Sequence, residues 1–449
     1  MIAVSVIVPI HNSRKYIEEC MDSICRQTLR NIEILCIDSS TDGTTEILYN
    51  YQEEDHRILI IEDKNSSYGY KLNLGIQKAN GEYIAIVESD DYVVEDMLLN
   101  MYQTAHRSDL DFLKGNYEGF MDTNNGRIFS KWNRVNDEHY NRVIDLQEEK
   151  NIMSYVGYNI WTGIYKTEFL RSKKIAFHES EGASYQDIGF ACLTAMLAGK
   201  ILFLKECYYK YRMDNQGSST GMCKKYKCVS EEFIWLWKQM EKLECKTEEN
   251  SIYFNISKMN SYFWNYRRLP EDFQQKLLEE TPKGDLVDFD EKALNWELPD
   301  KSHILKIFNG DISSIEQERM LERKKRILYT ELLQVFYEQK KIVLVCAGRQ
   351  GGAVYTLMKL ANCSAEITIC DNYLQGKEFK WDRKEIVSIE EAVTKNKDGY
   401  YIIANYRNGE KIKEQILNLG IRENKIYLCE FVEENEFGLF QNFNKYSQR

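Results

Sequence analysis

No stretch of this 449-residue chain approaches the roughly 20 consecutive apolar residues that a membrane-spanning helix needs. The start, Met1-Ile2-Ala3-Val4-Ser5, lacks the charged leader and cleavage region of a secretory signal and enters directly as a strand. Basic residues are in deficit: 59 lysines and arginines face 70 acids, for a net charge of -11. That balance argues against a general nucleic-acid binder and leaves a phosphorylated ligand dependent on a metal or a few well-placed cations. The twelve cysteines form no Cys-His array with zinc spacing. Cys36, Cys192, Cys346 and Cys370 sit inside apolar runs, so buried reduced thiols and a cytoplasmic location are expected, with peripheral contact at the inner face of a membrane left open.

What is present is a regular alternation. The run Val4-Ser5-Val6-Ile7-Val8 reads as a strand stopped by Pro9, followed by a helix that Asn12 or Ser13 could cap and whose face is Ile17, Cys20, Met21 and Ile24. Ile32–Ile37 is a second strand ending at Asp38, Ile58–Ile61 a third, Tyr70–Lys78 a helix, and Tyr83–Val87 a fourth strand. This βαβαβαβ order predicts a mostly parallel sheet covered on both faces, with ligands beyond the carboxyl ends of its strands. Further on, Ile160–Tyr165 reads as one buried strand, Asp187–Leu197 as an apolar helix, and Ile201–Leu204 and Tyr208–Tyr211 as two short strands. Residues 1–222 are expected to form this α/β domain, 223–340 a helical linker or accessory region, 341–435 a small Rossmann-like α/β module and 436–449 a tail. Within the helical region, Arg323-Lys324-Lys325-Arg326 reads as a solvated helix face.

Three acids gather where the fourth strand ends, in Glu88-Ser89-Asp90-Asp91. Two readings stand: a solvated helix N-terminus, which acids favour electrostatically, or oxygen ligands that hold a divalent cation against phosphate. His11-Asn12 and Asp38 fall at neighbouring strand ends, which a solvated loop does not predict.

The blocks Val4–Asn12, Asp38 with Ser40-Thr41-Asp42-Gly43-Thr44, Lys71-Leu72-Asn73-Leu74-Gly75, and Ala79–Tyr83 leading into Ser89-Asp90-Asp91 together resemble the family 2 glycosyltransferases. That family consists of inverting enzymes with a GT-A fold that use nucleotide-sugar donors. The resemblance spans about residues 3–220. It implies transfer of a sugar from a nucleotide-sugar, UDP-linked, to a hydroxyl of a glycan or lipid-linked acceptor. It implies Mn²⁺ or Mg²⁺ held by Asp91, the leading ligand, with Asp90 coordinating or binding the donor ribose. Asp38 would read the nucleobase in a pocket shared with Pro9, His11 and Asn12, while Lys71 and Arg212 would supply charge to the donor phosphates. Asp187, in Gln186-Asp187, matches the family's base; its other reading is an N-cap for a helix beginning at Ile188. Gln186 and Trp161 would meet the acceptor, although a core tryptophan is the default reading of Ile160-Trp161-Thr162, and His178 has no assigned role. The segment Tyr211–Ser219 would close over the phosphates. The chain departs from the family pattern in its shortened Asp38-Ser39-Ser40-Thr41-Asp42 block, in His11 where tyrosine is common, and in Glu88 where aspartate is common.

At Lys341 the α/β signal restarts. Ile342–Val345 runs into Cys346-Ala347-Gly348-Arg349-Gln350-Gly351-Gly352, and Asp371 follows a second strand at Ile367–Cys370. This resembles a dinucleotide-binding opening with its first glycine replaced by Cys346. Gly348, Gly351 and Asp371 would hold NAD or a nucleotide, or the glycines simply permit close strand-helix packing. Two alternatives to the transferase remain. Nucleotidyl transfer normally shows a Gly-rich basic loop after the first strand, which Pro9-Ile10-His11-Asn12 is not. The other is a nucleotide-binding or scaffolding protein with weak or no transferase activity, and a homodimer fits either.

Overall fold

The computed structural model describes residues 2–215, 227–269 and 331–429, together with residue 276 and apart from residues 124, 125, 134, 333, 362, 406 and 407. The Gln216–Ser219 part of the expected closing segment, the Arg323–Arg326 run and the tail lie outside the described residues. Two compact units form, one of residues 1–119 with 131–311 and one of residues 120–130 with 312–449.

The first unit opens with β1 (Val4–Ile10), α1 (Ile17–Cys25), β2 (Ile32–Asp38), α2 (Thr44–Glu54), β3 (Ile58–Glu62), α3 (Tyr68–Lys78) and β4 (Tyr83–Ile86). Every residue of β1, β2 and β4 is buried, as befits strands covered on both faces. Strands β2 and β4 both pair parallel with β1, and β3 continues parallel beyond β2. Strand order therefore reverses between β1 and β4, the switch point at which open α/β sheets bind ligands.

Beyond β4 the direction changes. β5 (Tyr92–Val93), α4 (Met97–Ser108), β6 (Phe112–Thr123), β7 (Gly126–Trp132), β8 (Val143–Asp145), β9 (Gly163–Lys166), α5 (Thr167–Ser172), α6 (Gln186–Leu197) and β10 (Lys200–Arg212) follow. β9 runs antiparallel to both β4 and β6, and β10 runs antiparallel to β5 and β8. Helices α7 (Cys228–Lys242) and α8 (Glu248–Arg268) pack beside α6.

Several local expectations change. Tyr16, not Asn12 or Ser13, precedes α1, and it makes no side-chain cap. The acidic cluster leads into β5 rather than a helix, which removes the N-terminal capping reading. Ile160–Thr162 is a 3₁₀ turn with the strand starting only at Gly163, and the two short strands after α6 are one continuous strand, β10.

In the second unit, β11 (Lys341–Val345), α9 (Arg349–Leu360), β12 (Glu366–Cys370), α10 (Ile389–Lys395), β13 (Tyr400–Ile403), α11 (Gly409–Asn418) and β14 (Ile426–Leu428) build a parallel sheet in the order β12-β11-β13-β14. Val343, Val345, Cys370, Tyr401, Ile403 and Ile416 form its core. No described helix is long and apolar enough to cross a membrane.

Candidate functional site

The loops after β1, β2 and β4 meet at the switch point. Ser13 and Ser89 bring their hydroxyls within 2.5 Å, joining the β1 loop to the acidic loop. The β1 loop is also stitched to the β2 loop. Asn12 takes a left-handed φ of 54°, which asparagine tolerates well. Its N–H donates to Ser40 Oγ at 2.8 Å and its Oδ1 accepts the Thr41 N–H at 2.8 Å. His11 lies exposed with Nδ1 3.0 Å from Ser39 Oγ, while Pro9 stays inside β1 opposite Ile37.

Asp38, expected to meet the nucleobase, gives its carboxylate to its own loop instead. It is 1% exposed; Oδ1 accepts the Ser40 N–H at 2.9 Å and Oδ2 the Thr45 hydroxyl at 2.6 Å. Lys71 is likewise turned inward. Its ammonium is buried and donates to the Ile10 carbonyl at 2.6 Å, with burial pushing its pKa down to about 8. It thus anchors the end of β1.

The two aspartates of the cluster have different surroundings. Asp91, expected to lead as metal ligand, is 1% exposed, and both of its oxygens are engaged. Oδ1 accepts the Arg212 N–H at 2.7 Å and Oδ2 the Tyr209 hydroxyl at 2.8 Å, which ties the acidic loop to β10. Asp90 is the more open of the pair. Asn215 donates to its Oδ2 at 2.6 Å, and burial raises its pKa against that hydrogen bond. Arg212, expected at the phosphates, is buried: Nε donates to the Asp90 carbonyl at 2.9 Å, the guanidinium pairs with Glu19 and Asp214, and it stacks 4.6 Å over the Tyr16 ring.

Among the described residues no group of three or more histidines, cysteines, aspartates or glutamates forms a metal cage. A hard cation such as Mg²⁺ does not need one, since it is commonly held by one or two carboxylates and completed by substrate phosphate and water. Asp90 fits that requirement, being a partly desolvated carboxylate at the switch point; Asp91 is more deeply buried, and each of its oxygens already accepts one hydrogen bond from the protein.

On the far side of the crevice, the loop before α6 closes around itself. Gln186 is buried, with Nε2 donating to Ser180 Oγ and the Gly182 carbonyl and Oε1 accepting the Ser184 N–H, so it shapes the loop. The helix begins one residue earlier than expected, Tyr185 occupies the N-cap with φ 65°, and Asp187 stands inside the first turn instead of capping it. Its Oδ1 accepts the adjacent Ile188 N–H at 3.1 Å. Burial and then the charge of Glu232 raise its pKa to about 7. Glu88 is raised to about 8, mainly by burial, while the Tyr68 hydroxyl donates to its carboxylate; the charges of Asp90 and Asp187 push the same way as burial. Glu88, Asp90 and Asp187 thus share one partly dry electrostatic environment in which a negative charge is costly.

Trp161 is 7% exposed and belongs to the core. Its ring stacks on Tyr211 at 5.1 Å, lies 4.3 Å from Tyr209 and meets Tyr117 edge-on at 4.9 Å, so it backs the tyrosine that holds Asp91 and does not present a face to a sugar. Tyr209, Asn215 and Glu232 are the residues missed by sequence reasoning. Tyr209 and Asn215 lie in segments already singled out but carry no motif; Glu232 lies on an amphipathic helix with no local signal at all.

In the second unit, Asp371 does not reach outward. Oδ2 accepts the Ala347 N–H at 3.0 Å, and Oδ1 accepts those of Tyr373 and Leu374. A Cβ at Gly351 would stand 1.8 Å from the Cys346 carbonyl, whereas one at Gly348 would meet nothing within 4 Å. Close packing accounts for the glycine at 351, and the acid expected at a ribose closes its own loop.

Residues 5–162 match the sequence profile described as Glycosyl transferase family 2. Glycosyltransferase GlyG of Streptococcus pneumoniae is 33% identical over 214 residues, which cover 46% of this chain and 70% of GlyG. Glycosyltransferase GlyA of the same organism is 30% identical over 218 residues, 47% of this chain and 30% of GlyA. The poly(ribitol-phosphate) beta-glucosyltransferase of Bacillus spizizenii is 30% identical over 219 residues, 48% of this chain and 33% of that protein. The chain thus spans about a third of the length of two of these relatives.

Proposed function

The chain belongs to glycosyl transferase family 2, and from that premise we propose that it is an inverting, cation-dependent transferase that moves a sugar from a UDP-linked donor to a hydroxyl of a glycan or glycoconjugate. A polyol-phosphate glycan is one member of that acceptor class, by analogy with the Bacillus spizizenii relative. The observation that carries the reading is the division of labour among the acids. Asp38 and Asp91 are consumed by loop and strand contacts, while Asp90 and Asp187 keep carboxylate capacity on the donor and acceptor sides.

In this reading the His11–Asn12 loop and Ser39-Ser40 form the nucleotide rim, and Asp38 and Lys71 hold that rim in place from behind. Asp90 would hold the Mg²⁺ or Mn²⁺ ion, which when bound supplies positive charge to the departing diphosphate. Asp187 takes the proton of the acceptor hydroxyl while its oxygen attacks the anomeric carbon; the new C–O bond forms as the bond to the diphosphate breaks, and the leaving group departs with the electron pair. A base with a pKa near 7 combines a useful ionised fraction at neutral pH with real proton affinity. The second unit acts as an architectural or partner-binding module.

The test is a panel of UDP-sugars with and without Mn²⁺, scored by UDP release and UDP binding. Asp90→Ala is expected to abolish the Mn²⁺ dependence and weaken UDP binding. Asp187→Asn is expected to keep UDP binding and lose transfer. UDP release that survives both substitutions at the wild-type rate overturns the assignment.

A further inference from the structure

Behind Asp187 lies an acid that the donor and acceptor roles leave unused. Glu232 projects from α7 and is 1% exposed. Its Oε2 is 2.8 Å from Nδ1 of His178, whose ring stacks on Trp235 at 5.1 Å with an 11° interplanar angle. Its Oε1 has no side-chain donor, and the nearby Gly189 backbone N–H is what favours its charge there. That oxygen rests against Gly189, in the first turn of α6 two residues beyond Asp187, closely enough that a Cβ at 189 would stand 2.3 Å from it. Burying a carboxylate costs stability even when His178 and the Gly189 N–H support it, so its retention here calls for a use.

We propose that Glu232, locked by His178 behind the first turn of α6, is a positioning residue that makes Asp187 a stronger base toward the acceptor hydroxyl. The proposal rests on the reading of Asp187 as that base. Glu232 touches no reacting atom; it acts as a fixed like charge across a partly dry helix turn. The other groups facing Asp187 come from four further segments and from α6 itself. Lys114 on β6 opposes Glu232, whereas Glu88 after β4, Tyr68 on α3, Tyr158 before the 3₁₀ turn and Cys192 within α6 also couple to it. Of the anionic groups among them, Glu232 is the strongest influence on Asp187, second only to burial. His178 serves the arrangement by donating to Glu232, which favours the charged carboxylate against its own burial.

Infrared titration of the full-length protein tests this directly. The protonated-carboxyl stretching band is followed from pH 5 to 9, and the Asp187 contribution is the part lost in Asp187→Asn. In Glu232→Gln the Asp187 band is expected to titrate about one pH unit lower than in the wild type, because one like charge is gone. His178→Phe keeps a ring against Trp235 but removes the donor, so Glu232 takes up a proton and the Asp187 band moves in the same direction. The double variant moves no further than Glu232→Gln alone. UDP release from the active donor, measured in parallel, shows its acid limb displaced by the same interval, with a few-fold lower plateau from the weaker base. Retained UDP affinity identifies folded variants, and either single variant suffices. An Asp187 band that titrates at the wild-type pH in a folded variant overturns the role of Glu232. Full transfer in Asp187→Asn overturns the base assignment instead, so the two failures are distinguishable.

Discussion

Both units of this chain place an aspartate after the second of two parallel neighbours, beside a strand that ends in a loop and a helix. In the smaller unit Asp371 accepts three backbone N–H groups from its own loops, and nothing acidic is left over at the strand ends β11 and β12. In the larger unit Asp38 does the same work, closing the Ser40–Thr45 turn, but the neighbouring strand end adds Glu88, Asp90 and Asp91 and the antiparallel half brings Asp187 to them. The same topology therefore yields a self-satisfied loop in one place and a cluster of partly desolvated acids in the other. What separates them is the surplus: a carboxylate whose oxygens are all used is scaffold, and one held in a dry crevice with capacity to spare is available for chemistry.

The sharpest test of that distinction pairs Asp187→Asn with Asp371→Asn. The first is expected to lower transfer by roughly 10²–10⁴-fold, the range for loss of a positioned base, while the second leaves transfer unchanged. A loss of transfer in Asp371→Asn with the larger unit intact would erase the contrast between the units. Within the cluster, Asp91→Ala strands the Arg212 N–H and the Tyr209 hydroxyl in a buried setting. It is expected to cost on the order of 3 kcal/mol in denaturant unfolding, whereas Asp90→Ala, which removes one hydrogen bond from the Asn215 amide, costs less stability and more donor binding.

How far the sequence revealed this depends on the kind of residue. Strands β1 to β4 were legible because buried parallel strands leave continuous β-branched runs, and the switch point follows from their order. The acidic cluster was visible too, but not which member is open: that depends on Tyr209 and the Arg212 N–H, more than a hundred residues away. The same blindness hid the internal partners of Lys71, Arg212 and Gln186, whose residue types suit a ligand, whereas Trp161 lies in the core as its default reading has it. Glu232 was invisible, since its meaning comes from Gly189 and His178 on other elements.

The acids also separate the units by pH. Burial and the charge of Glu232 raise the folded-state pKa of Asp187 to about 7, well above the ordinary carboxylate range, so the folded state keeps a proton that the unfolded state releases. Its contribution to stability therefore declines as pH rises from the ordinary carboxylate range to about 7, and the loss is complete above it. Thermal melts of the ligand-free protein should show the larger unit's transition falling between pH 5 and 8. Asp187→Asn should flatten part of that fall and melt higher than the wild type at pH 8. A transition equally pH-dependent in wild type and Asp187→Asn would count against a desolvated base.

The smallest effect tests the smaller unit on its own terms. If Gly348 and Gly351 are there to bring backbone against a bound phosphate, alanine at either should interfere with a ligand; if they serve packing, the two should behave differently. A methyl at Gly351 must displace the Cys346 carbonyl, a backbone group fixed by β11 and by the left-handed φ of 79° at Cys346, so Gly351→Ala should destabilise the unit by roughly 1–3 kcal/mol. Gly348 has φ -78°, open space around it and the N-cap position of α9, so Gly348→Ala should cost the unit about 0.5–1 kcal/mol, the loss of a modest N-cap to alanine with no clash added. Equal destabilisation by both would mean that the loop is held by something other than the strand-helix contact at 351, and NAD or UDP titration of Gly348→Ala against wild type would then show whether that something is a ligand.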